Sequence, residues 1–162
     1  MKQHLSINDV QAIIRPAFGK LCCRKQVGYR RSLSLGFGEK VPHQNPKARD
    51  RFYGEWEIGT YNSAWRIMQA GKILCASHDP VDAIENLDAN LSNITFTRLV
   101  AVQQLTELDI RVVLDLELTI DFFAAISDND EVFHVFCPLN QYVEFTAENG
   151  WITGVSNTPW NK

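Results

Sequence analysis

At 162 residues, 45% hydrophobic and 22% charged, the chain has an ordinary globular composition, which excludes a disordered tail and allows one core rather than two. It contains no run of about 18 apolar residues, as a membrane-spanning helix would need, and Asp9, Arg15 and Pro16 break up the amino-terminal stretch that an export signal requires. The net charge of −3 conceals a division: residues 1–72 hold 13 lysines and arginines against 5 acids, residues 73–162 hold 3 against 14, so a basic first part precedes an acidic second part suited to a basic partner. The expectation is a single domain over 1–162, with the basic segment 1–52 as the candidate for partial flexibility.

In chain order, Ser6 precedes Ile7, Val10, Ile13 and Ile14 at helical spacing with Asp9 three residues on. This predicts a short capped helix that stops at Pro16. Residues 20–31 are basic and lack clear periodicity. Leu33, Leu35 and Phe37 alternate as in a half-buried strand, with a bend expected at Gly36 and Gly38. Residues 39–51, with Pro42, His43, Pro46, Lys47 and Arg49, read as an exposed loop. Two strand-like runs, 54–61 and 64–68, flank Asn62-Ser63 in the pattern of a hairpin, and Ala70-Gly71 marks a turn before 72–75. Asp79-Pro80 predicts a helix over 80–91, because the carboxylate can cap and proline suits the first helical position.

The remainder reads as an antiparallel meander with strands near 94–102, 109–123, 131–136, 141–145 and 151–155, divided by turn residues at 127–130 and 147–150. The fold class expected is α+β: a mostly antiparallel curved sheet or open barrel with two short helices.

Within the predicted strand 109–123, Ile110, Val112, Leu114, Leu116, Leu118, Ile120 and Phe122 share one face. Arg111, Asp115, Glu117, Thr119 and Asp121 share the other, which lines three carboxylates along one strand about 6.5 to 7 Å apart. Such a stripe is either a solvated sheet face or a partner-binding surface centred on Asp115, Glu117 and Asp121 and rimmed by Asp128, Asp130 and Glu131. Trp56, Trp65 and Trp151 suit core packing, and Trp65-Arg66 has the alternative reading of an exposed interface pair.

The four histidines, His4, His43, His78 and His134, lack metal-ligand spacing, so no metal and no cofactor are expected. His134 and Cys137 stand three apart in a strand and therefore face opposite sides. The four cysteines, including vicinal Cys22-Cys23, read as reduced packing thiols of a cytoplasmic protein. Gly36-Phe37-Gly38 lacks the rest of a dinucleotide fingerprint. With no nucleophile, base and orienting group to assemble, a binding protein is expected rather than an enzyme. Two alternatives stand beside it: a nucleic-acid module using Lys20, Arg24, Lys25, Tyr29, Arg30 and Arg31, continued by Lys40, Lys47, Arg49 and Arg51, or an enzyme whose carboxylates converge from separate strands.

At Gly54-Glu55-Trp56, Ala64-Trp65-Arg66, the run 73–79 and the acidic meander ending near Trp151, the chain resembles small bacterial immunity proteins of polymorphic-toxin and contact-dependent growth inhibition systems. The resemblance covers roughly 33–151 and leaves the basic amino-terminal segment unexplained. It implies a cytoplasmic inhibitor that binds one cognate toxin domain, often a nuclease, and blocks its active site or substrate surface.

Overall fold

A computed structural model describes residues 2–44, 47 and 50–155; Pro46, Arg49 and Trp160 lie outside the described residues. The elements are β1 (Gln3–Leu5), α1 (Ile7–Ile14), β2 (Cys22–Val27), β3 (Leu33–Pro42), β4 (Phe52–Thr60), β5 (Ala64–Gln69), β6 (Lys72–Ala76), α2 (Ile84–Ser92), β7 (Leu99–Gln104), β8 (Ile110–Leu114), β9 (Leu118–Phe123), β10 (Glu131–Phe136), β11 (Gln141–Thr146) and β12 (Gly150–Val155). All strand pairings are antiparallel. They form two open sheets, a seven-stranded one in the order β1-β12-β11-β10-β4-β3-β2 and a five-stranded one in the order β6-β5-β9-β8-β7.

Alternation along the strands decides which face is buried. In the larger sheet Leu35, Ile58, Val135 and Val143 stand opposite one another across four strands, and in the smaller one Ile67, Ile120, Val112 and Val102 do the same. These residues are fully or almost fully buried in a single hydrophobic cluster that draws on both sheets and both helices. Between the sheets, the rings of Phe122 and Phe133 meet edge to face at 5.1 Å, the preferred aromatic geometry. The Trp151 indole N–H donates to Gln104 Oε1 at 3.0 Å, so the polar end of a large core residue is not left unpaired.

Both helices are short, and their starts differ. At α1 the Ser6 side chain accepts from Asp9 N, and the Asp9 carboxylate accepts from Ser6 N at 2.9 Å. This reciprocal cap is the one the sequence predicts, and it holds the Asp9 carboxyl below its ordinary pKa. The second helix begins at Ile84 with Ala83 as an uncapped start, four residues later than predicted. Asp79 is engaged elsewhere: its carboxylate accepts from Ala76 N at 3.0 Å and closes the turn after β6.

Three further expectations are corrected. The runs 54–61 and 64–68 do not form a hairpin, because β4 pairs with β3 and β10 while β5 pairs with β6 and β9 in the other sheet. Residues 39–42 belong to β3, which runs on past a bulge at Gly38, whose φ of 87° suits glycine. The supposed long strand 109–123 is the hairpin β8–β9, turning at Leu116 and Glu117 with φ of 62° and 60°. Leu116, predicted to point inward, is 72% exposed at that turn.

Candidate functional site

The hairpin dissolves the acidic stripe. Asp115 and Glu117 lie within the β8–β9 connection, whereas Asp128, Asp130 and Glu131 follow the far end of β9. A six-residue strand separates the two groups, about 20 Å at 3.3 Å per residue. Asp121 is fully buried and is used internally: its carboxylate accepts from Arg66 Nε at 3.0 Å, Arg111 Nε at 2.6 Å and Arg111 Nη2 at 2.9 Å. The three residues stand opposite one another on β5, β9 and β8, so pleating alone brings them together. Trp65 is 1% exposed, its indole N–H donating to Arg31 O at 2.8 Å. It is core, and the reading of Trp65-Arg66 as an exposed pair is corrected; Arg66 alone reaches the surface, with its guanidinium over the Phe123 ring.

The richest polar arrangement lies on the outward face of the seven-stranded sheet. Strand register places two rows of side chains there. One row runs Ile152, Glu144, His134, Gly59, Ser34, Gln26; the next runs Gly154, Tyr142, Phe136, Glu57, Gly36, Arg24. The glycines make room for long neighbours lying flat. A Cβ on Gly154 would sit 2.5 Å from the Tyr142 hydroxyl, and one on Gly36 would sit 2.9 Å from Glu57 Oε1.

At one end of this face Arg24 holds a closed network. Its guanidinium donates to Asp50, to Ser34 Oγ at 2.6 Å, to Glu57 Oε2 at 3.3 Å and to Gln26. Glu57, 1% exposed, also accepts from Gly54 N at 2.7 Å. Burial raises the Glu57 pKa, opposed first by Arg24 and then by the Gly54 N–H. A buried carboxylate so satisfied fixes β2, β3, β4 and residue 50 against one another.

The other end is aromatic and acidic. The His134 ring lies between those of Tyr61 and Phe136, at centroid distances of 4.7 and 4.6 Å. Its Nδ1 donates to Glu131 Oε2 at 3.0 Å, which in the neutral ring leaves Nε2 as the acceptor. Glu131 also accepts from Tyr61 N and from Thr60 Oγ1 at 3.2 Å. Burial, then the Glu131 and Glu144 charges, push the Tyr61 phenol up to about 12. Beyond Phe136 a cavity of about 230 Å³ opens against Val41, Tyr53 and the β10–β11 turn, whose Leu139 is 94% exposed.

Of the residues the sequence proposes, only Glu131 belongs to this face, with Asp128 and Asp130 beside it around a small depression lined by Asn62 and Ile126. Glu57, His134, Glu144 and Tyr142 were not predicted. Their one signal in the sequence is a set of polar residues alternating with apolar ones in strands that only tertiary pairing makes neighbours. The basic segment is largely engaged: Lys20 pairs with Glu55 at 2.8 Å, Lys25 donates to Ile94 O, and Arg31 donates to Ser77 O and Asp79 O.

Cys22 and Cys137 are pushed up to about 12 and Cys75 to about 11, in each case mainly by burial, so these thiols stay protonated at neutral pH. Among the described residues no group of three or more His, Cys, Asp and Glu is disposed to hold a metal ion, and no helix is long and apolar enough to cross a membrane. The chain matches no family model, no curated protein and no solved structure.

Proposed function

We propose that the chain is an inhibitor of the immunity type, binding a basic toxin domain and covering the surface on which that toxin takes its substrate. A nuclease is the favoured toxin, because an enzyme that binds a polyanion presents a cationic surface, which an acidic face can occupy in the substrate's place. The observation that carries this reading is the placement of Glu131 and Glu144, from separate strands, at one end of this sheet face, where among the described residues neither pairs with a lysine or arginine. Asp128 and Asp130 extend the acidic charge at its edge. Such a rim speeds association, while desolvated contacts in the centre govern dissociation.

Expressed with the toxin domain encoded by the neighbouring reading frame, the chain would restore growth and co-purify with that domain as a stoichiometric complex. Growth arrest undiminished by its presence would overturn the reading.

One observation favours a second reading. The Glu131–His134 pair has the form of an oriented general base, a carboxylate holding Nδ1–H and leaving Nε2 to accept a proton. A turnover lost in His134→Gln with the fold intact would establish it over the first.

A further inference from the structure

The tip between β2 and β3 is tied to the core on one side and open on the other. Buried Trp65 fixes two walls of a depression between this tip and the turn after β6. Its indole N–H donates to Arg31 O at 2.8 Å, and its backbone N–H donates to Ser77 Oγ at 3.0 Å. Arg31 joins the walls, its Nη1 donating to Ser77 O at 2.6 Å and to Asp79 O at 2.8 Å. Arg30, Arg31, Asn62, Ser63 and His78 line the space so enclosed, and a site held by its own core needs little rearrangement to receive a ligand.

The polar groups left over are donors. Neither Nε nor Nη2 of Arg31 has a partner among the described residues. Ser77 is buried and its Oγ accepts from Trp65 N, so every donor is satisfied when its own proton goes to His78 Nδ1, 3.1 Å away. The neutral ring of exposed His78 then carries its N–H at Nε2. Asp79, the acid of the lining, has its carboxylate engaged with Ala76 N at 3.0 Å. Two arginines and an imidazole N–H around one depression suit the acceptor oxygens of a phosphate, which a guanidinium binds through parallel N–H groups.

An aromatic ring stands at the same edge. Tyr29 is 80% exposed, and its one ring contact among the described residues is the Arg30 guanidinium, 5.5 Å from the centroid. An open ring beside a cationic patch is the combination on which proteins stack a base next to its phosphate. We infer that the depression binds a nucleoside phosphate, the phosphate on Arg30, Arg31 and His78 and the base on Tyr29. The inference goes beyond the inhibitor reading and does not rest on it.

The test titrates the full chain with adenosine monophosphate, adenosine and inorganic phosphate, following the ring resonances of Tyr29 and His78. The nucleotide should bind about tenfold tighter than either half alone and shift both rings. Arg30→Gln and Tyr29→Leu, at exposed tip positions and checked by thermal melting, should each weaken it about fivefold or more, and Lys72→Gln on β6 should not. Inorganic phosphate binding as tightly as the nucleotide overturns the inference, as does nucleotide affinity unchanged in both variants. A hexa-adenylate strand phosphorylated at its first nucleotide separates the two sources of this chemistry. Binding at least as tight as that of the mononucleotide identifies a strand end, weaker binding a free nucleotide, and either upholds the site.

Discussion

Arg66 and Asp121 stand directly opposite one another on β5 and β9 and form an ion pair of 3.0 Å that joins the basic first part of the chain to the acidic second part. The carboxylate is fully buried, while the arginine side chain remains 35% exposed. Removing the charge from Asp121 would leave Arg66 and Arg111 facing one another over an uncharged amide. Asp121→Asn should therefore destabilise the fold by about 3 to 5 kcal/mol in denaturant titrations. An unchanged midpoint would show that the pair contributes nothing.

The β8–β9 turn carries Leu116 and Glu117 at φ of 62° and 60°, a conformation that glycine and asparagine adopt more easily. Replacing the pair with Asn-Gly should raise stability by about 1 kcal/mol. Leu116→Ala should stay within about 0.5 kcal/mol of the parent, as exposed sites do. Trp56→Ala, at a residue 5% exposed in the core, should cost about 3 to 5 kcal/mol. Equal losses for Leu116→Ala and Trp56→Ala would contradict this placement.

Two glycines of the outward face should respond differently to alanine. At Gly59 a Cβ would overlap the Leu33 carbonyl, part of the backbone pairing of β3 with β4, so Gly59→Ala should cost about 3 kcal/mol or more. At Gly154 the obstruction is the Tyr142 ring, which can swing away. Gly154→Ala should keep a melting temperature near that of the parent and shift the Tyr142 resonances. A large melting shift in Gly154→Ala with unmoved Tyr142 signals would show that the ring does not lie there.

Alkaline stability follows from the thiols and the phenol. Cys22 and Cys137 are raised from 9.0 to about 12, Cys75 from 9.0 to about 11, and Tyr61 from 10.0 to about 12. A raised acid favours the folded state fully while it is protonated in both states, below its unfolded pKa, and loses that contribution as pH rises through the folded value. Melting temperatures should hold up to about pH 9 and fall between pH 9 and 12. Alkylation of the native protein at pH 8 should be slow and should accelerate on unfolding. Rapid native labelling of Cys75 or Cys137 would refute their burial.

Local chemistry was legible in the sequence where it is self-contained. The Ser6/Asp9 cap, the Ala70-Gly71 turn and the inward tryptophans at 56 and 151 follow from neighbours in the chain, whereas Pro16 does not end the winding: Arg15 keeps helical angles and Arg15–Ala17 continue as a 3-10 turn. The β8–β9 hairpin was hidden for a definite reason. Val113 pairs with Thr119, so Leu114 and Leu118 remain on the same face, and the hydrophobic alternation runs through the turn without a change of phase. The exposed Leu116, occupying an inward position in that rhythm, completed the disguise. The outward face was illegible because its partners come from β4, β10 and β11, and alternation reports which residues share a side but not which strands adjoin.

The order of strands in the larger sheet gives that face a history. Strands β5 to β9 form one sheet from an uninterrupted stretch of chain, while the other sheet takes β1 to β4 before that stretch and β10 to β12 after it. The two arms meet at two seams, the pairing of β1 with β12 and that of β4 with β10, and at the second Glu57 and Gly59 meet Phe136 and His134. Closing the second seam brings together strands separated by about 70 residues, a long-range pairing whose loop-closure entropy is lost before the contacts offset it. The polar face is thus assembled across a junction between distant segments, and a chain interrupted between β4 and β10 would carry Arg24 and Glu57 but lack the His134, Phe136 and Tyr142 rings that adjoin them in the rows.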